Sequence, residues 1–388
     1  MNTASPLLGA RTARPSFRGR TRALARMRSG DPWLLGAVAV LLALGTVMVL
    51  SSSYFFARAA VADPFYYTRR HLAYVTIGLM VAAFASRLHW TFWEQWARVL
   101  FALGLTSLLL VLVWGYEEGG ARRWLKLGPL PVTVQPVEFV KTILVVYLAR
   151  YLARRQDRIH LWWEGILPPV CVVGVVLALL YKQPDFGTMV ILGATTGAML
   201  LLAGVTRYQI GVLGLVGVAL AAVGIWVKPY RFARLLVLWS AWEHERGLGY
   251  QVVQSMIAIG SGGISGVGLG ASQQKLFFLP AAHTDFIFAL IGEELGLVGM
   301  ALVLGMFSVI ALRGLQVARA HEEPFVRFLA AGLTLTLILE AWLNIAVALG
   351  MAPPKGLALP FVSYGGSALV GALLRVGILW NLSRQTST

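Results

Sequence analysis

The segment from Leu279 to Leu297, LPAAHTDFIFALIGEELGL, sets carboxylates where an apolar run would normally exclude them. His283, Thr284 and Asp285 form a polar lip, and Glu293 and Glu294 follow about two turns deeper at ~1.5 Å rise per residue. An ionised side chain inside hydrocarbon costs roughly 2.5–3.5 kcal/mol even on lenient scales, so such residues usually serve a function. Asp285 suits two roles. Its oxygens can cap the helix that follows. Held at a membrane–water boundary, it can also act as a general base or as a ligand to a divalent cation. One residue can do both.

Three further clusters carry possible chemistry. In Gln135–Lys141, Glu138 and Lys141 stand three apart and share a helix face, as an ion pair between helices or as a cavity wall facing an anionic group. Just before them, Arg122, Arg123 and Lys126 bracket Trp124, a pattern suited to an anionic lipid head group and equally to an interface anchor. In Lys182–Thr188, Asp185 either caps the next helix or faces the same side as Asp285. The longest irregular stretch is Asn344–Ala368, NIAVALGMAPPKGLALPFVSYGGSA, where Pro353, Pro354 and Pro360 forbid a regular helix. Irregular backbone at membrane depth is tolerated only when buried in protein or lining a wet cavity. This stretch, with Lys355, Ser363 and Tyr364, is therefore the expected cavity wall, and Glu340 and Asn344 lie at the right spacing to join it. No HExxH or CxxC spacing and no convincing nucleophile elbow occurs, so any catalytic divalent ion must be held by carboxylates.

The elements that must position these residues are membrane helices. The chain has 388 residues, 58% hydrophobic and 13% charged, with mean hydropathy +0.72, which excludes an ordinary soluble domain. Ten apolar runs long enough to span lie near 33–52, 71–86, 97–115, 133–152, 163–181, 187–205, 209–227, 285–312, 325–349 and 359–380. Residues 1–32 hold seven arginines before the first span, which points to a cytoplasmic, disordered tail touching anionic lipid rather than to nucleic-acid binding. With that tail inside, cytoplasmic segments and span edges hold 18 Arg and no Lys against 13 Lys plus Arg outside, which favours both termini in the cytoplasm, the second being residues 383–388. The single cysteine, Cys171, allows no disulfide within the chain. Loop 228–284 is too long for a connector. Its first half suits a helix on the membrane surface, and its second half is glycine-rich, a weak match to a phosphate cradle.

In order along the chain, GARRWLKLG with QPVEFVK, QPDFGT, GYQVVQS, QKLFFLPAAHTDFIFALIGEELG and MAPPKGLALPFVSYGGSA resemble the SEDS family of bacterial membrane proteins over residues 33–382. Lys355-Gly356 resembles its division branch more than its elongation branch. The resemblance implies an all-α polytopic fold of about ten transmembrane helices, with a long outer loop between the seventh and eighth. It implies a peptidoglycan glycosyltransferase of the bacterial cytoplasmic membrane that polymerises lipid II and works with a class B penicillin-binding protein and other divisome membrane proteins. It implies that Asp285 is the catalytic residue, that Glu138 and Lys141 matter for function, and more weakly that Asp185 does. Lys355, Ser363, Tyr364 and His283 fall with these motifs in the expected substrate cavity. Under this reading Asp285 takes the proton of an acceptor hydroxyl, and Arg122, Arg123 and Lys275, or a Mg2+ or Mn2+ ion, offset the leaving pyrophosphate; no organic cofactor is expected. A lipid II flippase, an elongation polymerase and a non-catalytic scaffold remain as alternatives.

Overall fold

The computed structural model describes residues 30–118, 120–126, 133–226 and 229–385. The basic tail expected over residues 1–32 thus lies outside the described residues up to Ser29, as do 386–388 of the C-terminal segment. The described chain forms twelve α-helices: α1 (Pro32–Val61), α2 (Tyr66–Ala85), α3 (Trp90–Trp114), α4 (Val137–Arg154), α5 (Leu167–Lys182), α6 (Phe186–Leu202), α7 (Arg207–Trp226), α8 (Pro229–Ser240), α9 (Tyr250–Gly262), α10 (Ile287–Ala320), α11 (Pro324–Ala348) and α12 (Gly366–Arg384). Ten of them coincide with the ten expected spans. Seven are long and apolar enough to cross a membrane, and α6, at 17 residues, is a shorter apolar helix. The other two, α2 and α4, are 20 and 18 residues long and carry charges: Arg69 and Arg70 in α2, and Glu138, Lys141, Arg150 and Arg154 in α4. The protein is a multi-pass membrane protein.

The structure corrects one expectation and adds detail in two loops. The last span starts at Gly366 rather than 359, because the proline-rich stretch before it stays irregular. The loop after α3 carries a small sheet. Tyr116–Glu118 (β1), Ala121–Lys126 (β2) and Thr133–Val134 (β3) form a small antiparallel sheet in the order β1-β2-β3. The long loop holds two helices, and its glycines serve close packing rather than a phosphate cradle. A Cβ on Gly262 would lie 1.9 Å from Gly292 O, and one on Gly266 would lie 2.1 Å from Glu294 O.

Those contacts repair a break in α10. Gly296 takes φ 65°, ψ −158°, a conformation that favours glycine and divides the helix in two. Backbone groups freed at membrane depth must find partners. The Glu293 and Glu294 carbonyls accept from Val267 N (2.9 Å) and Gly268 N (3.1 Å), while Leu297 N and Val298 N donate to Gly263 O (3.0 Å) and Ile264 O (3.2 Å). The glycine-rich strand thus replaces the missing turn.

At the centre of the bundle, α11 packs on α10, α4 and α6, and α12 packs on α2. By contrast, α7 is exposed along most of its length. Hydrogen bonds close the bundle at both ends. Asp31 N to Ser383 Oγ and Asn381 Nδ2 to Ser86 O join one end. Tyr364 N to His283 O and Gln135 N to Ser367 Oγ join the other, which holds the segments singled out above.

Candidate functional site

Asp285 ends the long loop two residues before α10. Its backbone is fixed from three sides: its N–H donates to Ala281 O (3.0 Å), its carbonyl accepts from Asn344 Nδ2 (2.9 Å), and the neighbouring Thr284 O accepts from Ser363 Oγ (2.5 Å). Asn344 also donates to Leu357 O (2.5 Å), so one amide on α11 staples the aspartate segment to the proline-rich strand. The carboxylate lies against Gly356, where a Cβ would come within 3.2 Å of Oδ2. Only glycine leaves that oxygen its present place. Asp285 does not cap α10: the helix has no side-chain cap hydrogen bond at its start. Burial pushes the Asp285 carboxyl up to about 7; Thr284 and the Arg123 guanidinium pull the other way without cancelling it. A carboxyl poised there can exchange a proton near neutral pH.

Cations approach from the hairpin and from the proline-rich strand. Arg123 reaches from β2 to the carbonyls of Gln183 (3.0 Å) and Pro184 (2.5 Å), the turn that leads into Asp185. Asp185 is occupied as the cap of α6, accepting from Thr188 N (3.2 Å) and Thr188 Oγ1 (2.9 Å). Lys355, half-buried beside Gly356, makes no ion pair among the described residues. Burial lowers its pKa, with the Asp185 charge opposing and Arg234 reinforcing the shift.

Behind this strand lies a second layer of charge. Lys141 Nζ stands 2.7 Å from Glu138 Oε2 and 2.6 Å from Glu340 Oε1, and Arg375 holds Glu340 with both terminal nitrogens (2.7 and 2.8 Å). A cavity of about 20 Å³, room for one water, separates Glu138, Lys141 and Glu340 from Leu357, Ala358 and Pro360. The two layers therefore meet across the strand that also carries Gly356.

The family model FTSW_RODA_SPOVE, described as "Cell cycle protein", matches residues 32–388. The chain belongs to this family. Curated relatives include a probable peptidoglycan glycosyltransferase FtsW of Coxiella burnetii, 42% identical over 92% of this chain and 97% of its own length. One of the same description from Legionella pneumophila is 40% identical over 92% and 91%. Among solved structures, a chain of a peptidoglycan synthase complex that coordinates polymerization and crosslinking superposes with a TM-score of 0.77 at 30% identity, covering 92% of this chain and 98% of that one. The rod shape determining protein RodA of Thermus thermophilus superposes at 0.68 and 29% identity, with 92% and 97% covered.

Within this family member, the expected site residues fall into three places. Asp285, Arg123, Asp185 and Lys355 gather at one end of the bundle. Glu138 and Lys141 line a small cavity with Leu357 and Ala358, the residues that follow Gly356. Ser363 and Tyr364 tie loop to loop: Ser363 Oγ accepts from Leu359 N (2.8 Å), and the Tyr364 N–H holds His283 O (3.0 Å). The His283 ring sits among Phe56, Tyr67 and Tyr364 at centroid distances of 5.4, 5.2 and 5.8 Å. Burial lowers its pKa to about 4, so it is a neutral packing group at pH 7.

Two residues behave differently from expectation. Lys275 is not an open cation. Its side chain is 3% exposed and bound to Glu294 (3.0 Å), Ser51 Oγ (3.1 Å) and Gly270 O (2.6 Å), because an ammonium in apolar surroundings must be paired. Arg122 points away to an exposed pair with Glu117 (3.3 Å). Glu293 and Glu294 are likewise consumed by structure. Glu293 accepts from Ser272 Oγ (2.5 Å) and Gln273 N (2.9 Å), and both Glu294 oxygens accept from Ser51 Oγ (2.6 and 2.9 Å). Residues overlooked by sequence reasoning are Arg375 and Ser51, and Gly356 was read only as a mark of the division branch. An arginine inside an apolar run was the available signal for the first. Among the described residues no group of three or more His, Cys, Asp or Glu side chains could hold a metal ion. Asp285 contributes one carboxylate, with no second acid side chain bonded to it.

Proposed function

We propose that this chain is a peptidoglycan glycosyltransferase that polymerises lipid II into glycan strands at the outer face of the bacterial cytoplasmic membrane during cell division. The observation that carries the reading is the Asp285 carboxylate, unpaired by any described side chain within salt-bridge distance, set against Gly356 and within the field of the Arg123 guanidinium, with Lys355 one residue before Gly356. The ionised carboxylate accepts the proton of the acceptor sugar's 4-hydroxyl, the freed oxygen attacks the donor's anomeric carbon with inversion, and the breaking bond's electron pair leaves with undecaprenyl pyrophosphate. Arg123 and Lys355 offset the charge of that leaving group, a preorganised electrostatic contribution. Lys275, sequestered against Glu294, takes no part.

Relatives named FtsW at 40–42% identity support the division role. The complex matched at 30% identity supports a partner that crosslinks, which we take to be a class B penicillin-binding protein. The arginine bias supports both termini in the cytoplasm, with residues 1–32 as a basic tail and 33–382 as the membrane domain. Full-length protein reconstituted in vesicles with lipid II tests the reading. Glycan strands are expected from wild type and none from Asp285→Ala of equal folded yield. Strands from the variant, or translocated lipid II without strands from wild type, would overturn it.

A further inference from the structure

Sequence spacing pairs Glu138 with Lys141, but the structure gives Lys141 two carboxylates of nearly equal distance, 2.7 Å to Glu138 and 2.6 Å to Glu340. One ammonium cannot neutralise both. The fourth member settles the division. Arg375, 0% exposed, clamps both Glu340 oxygens and anchors its own Nε to Gly371 O (3.2 Å). Two acids and two bases then sum to zero charge, as burial requires. The planar, bidentate fork fixes Glu340 in place, while the lysine is a point charge on a flexible stem. Glu138 has no such clamp: its Oε2 lies 2.7 Å from Lys141 Nζ and has no other partner. Without Arg375, Glu340 and Glu138 compete for Lys141 alone, and one carboxylate charge is left uncompensated behind Leu357 and Ala358, the residues that follow Gly356.

We propose that Arg375 is a positioning residue, which by clamping Glu340 keeps Lys141 shared with Glu138 behind the strand that seats Asp285. The inference rests on the glycosyl-transfer reading and extends it to a pair of residues outside the aspartate's own surroundings. It also makes Glu340 a competitor that must be silenced, rather than an independent helper.

The test is turnover by full-length protein in vesicles with lipid II, expressed per folded molecule and assayed well below the melting temperature of every variant. Arg375→Met is expected to lower kcat about tenfold or more with KM within about twofold of wild type. Removing both charges, Glu340→Gln with Arg375→Met, is expected to restore kcat to within about threefold, since Lys141 then has only Glu138 to serve. Lys141→Met combined with Arg375→Met is expected to be no slower than Lys141→Met alone, because both lesions deprive Glu138 of the same cation. The inference fails if Arg375→Met keeps wild-type kcat, if the charge-free pair stays as slow as Arg375→Met, or if the Lys141 and Arg375 losses multiply. Should Arg375→Met not fold, the charge-free pair decides alone, and a slow, folded pair overturns the idea. Polymerisation that survives Asp285→Ala in the same assay would instead sink the glycosyl-transfer reading.

Discussion

Two sets of acids lie within one stretch of ten residues and meet opposite fates. Glu293 and Glu294 are 3% and 1% exposed, yet every oxygen has partners: Ser272 and Gln273 on one, Ser51 and Lys275 on the other. Asp285 is only half-buried but has no salt bridge among the described residues, and the carboxyl sits near neutrality. The deep acids clasp the glycine-rich strand to α1 and to the broken helix. The shallow acid is held by its backbone, which leaves its side chain free to react. Depth in the membrane therefore does not mark the reactive acid here; the lack of a committed partner does.

Experiments can break this contrast. The largest effect on activity is expected at the shallow acid. Asp285→Ala should cut polymerisation by at least ~10²-fold, the scale of a lost general base, while leaving folding intact. The reverse pattern is expected at the clasp. Lys275→Met should destabilise by about 3–5 kcal/mol, because it strands a buried carboxylate, and a melting curve in detergent reads this directly. If Lys275→Met melts like wild type but loses turnover, the division into clasp and site is wrong.

A smaller effect is expected from Gly356→Ala. Its new Cβ, 3.2 Å from Asp285 Oδ2, must push the carboxylate by a few tenths of an ångström. We expect about a tenfold loss of kcat with little change in stability, since misplacement of this kind disturbs geometry before it disturbs packing. The pH profile sharpens the comparison further. The ionised form of Asp285 is the base, so turnover should rise with pH through about 7 and level off above it. Stability moves the other way. A carboxyl whose folded pKa is raised from 3.8 to about 7 favours the folded state most when protonated, and that advantage is lost as pH climbs across the interval. Asp285→Asn should therefore melt above wild type at pH 8, and equal melting there would refute the burial account. The smallest effect is expected at Arg122, whose exposed pair with Glu117 should contribute no more than ~1 kcal/mol.

Much of this was legible in the chain. Ten apolar runs were enough to place ten helices, because the thickness of hydrocarbon sets a minimum length that few soluble segments meet. Proline and glycine marked the irregular stretch before Gly366, since the missing N–H and ring of proline break a helix wherever it falls. Asp285 and the Glu138–Lys141 pair stood out because charge is rare in such runs. Other features were invisible. Nothing local tells Lys275 that Glu294, nineteen residues on, is its partner, so it read as an open cation. The three strands around Arg122 and Arg123 are short, and their pairing depends on register across a turn rather than on composition.

The sequence by itself determined where ten helices lie and that several charges are anomalous, for these follow from length and polarity read one segment at a time. Only the tertiary structure decided which anomalous charges cancel. Arg375 lies 35 residues from Glu340 in sequence yet 2.7 Å away in space, and Gly356 adjoins the Asp285 carboxylate from 71 positions further along the chain. A charge is spent or available according to its neighbours in space, because Coulomb and hydrogen-bond energies fall away within a few ångströms and take no account of separation along the chain.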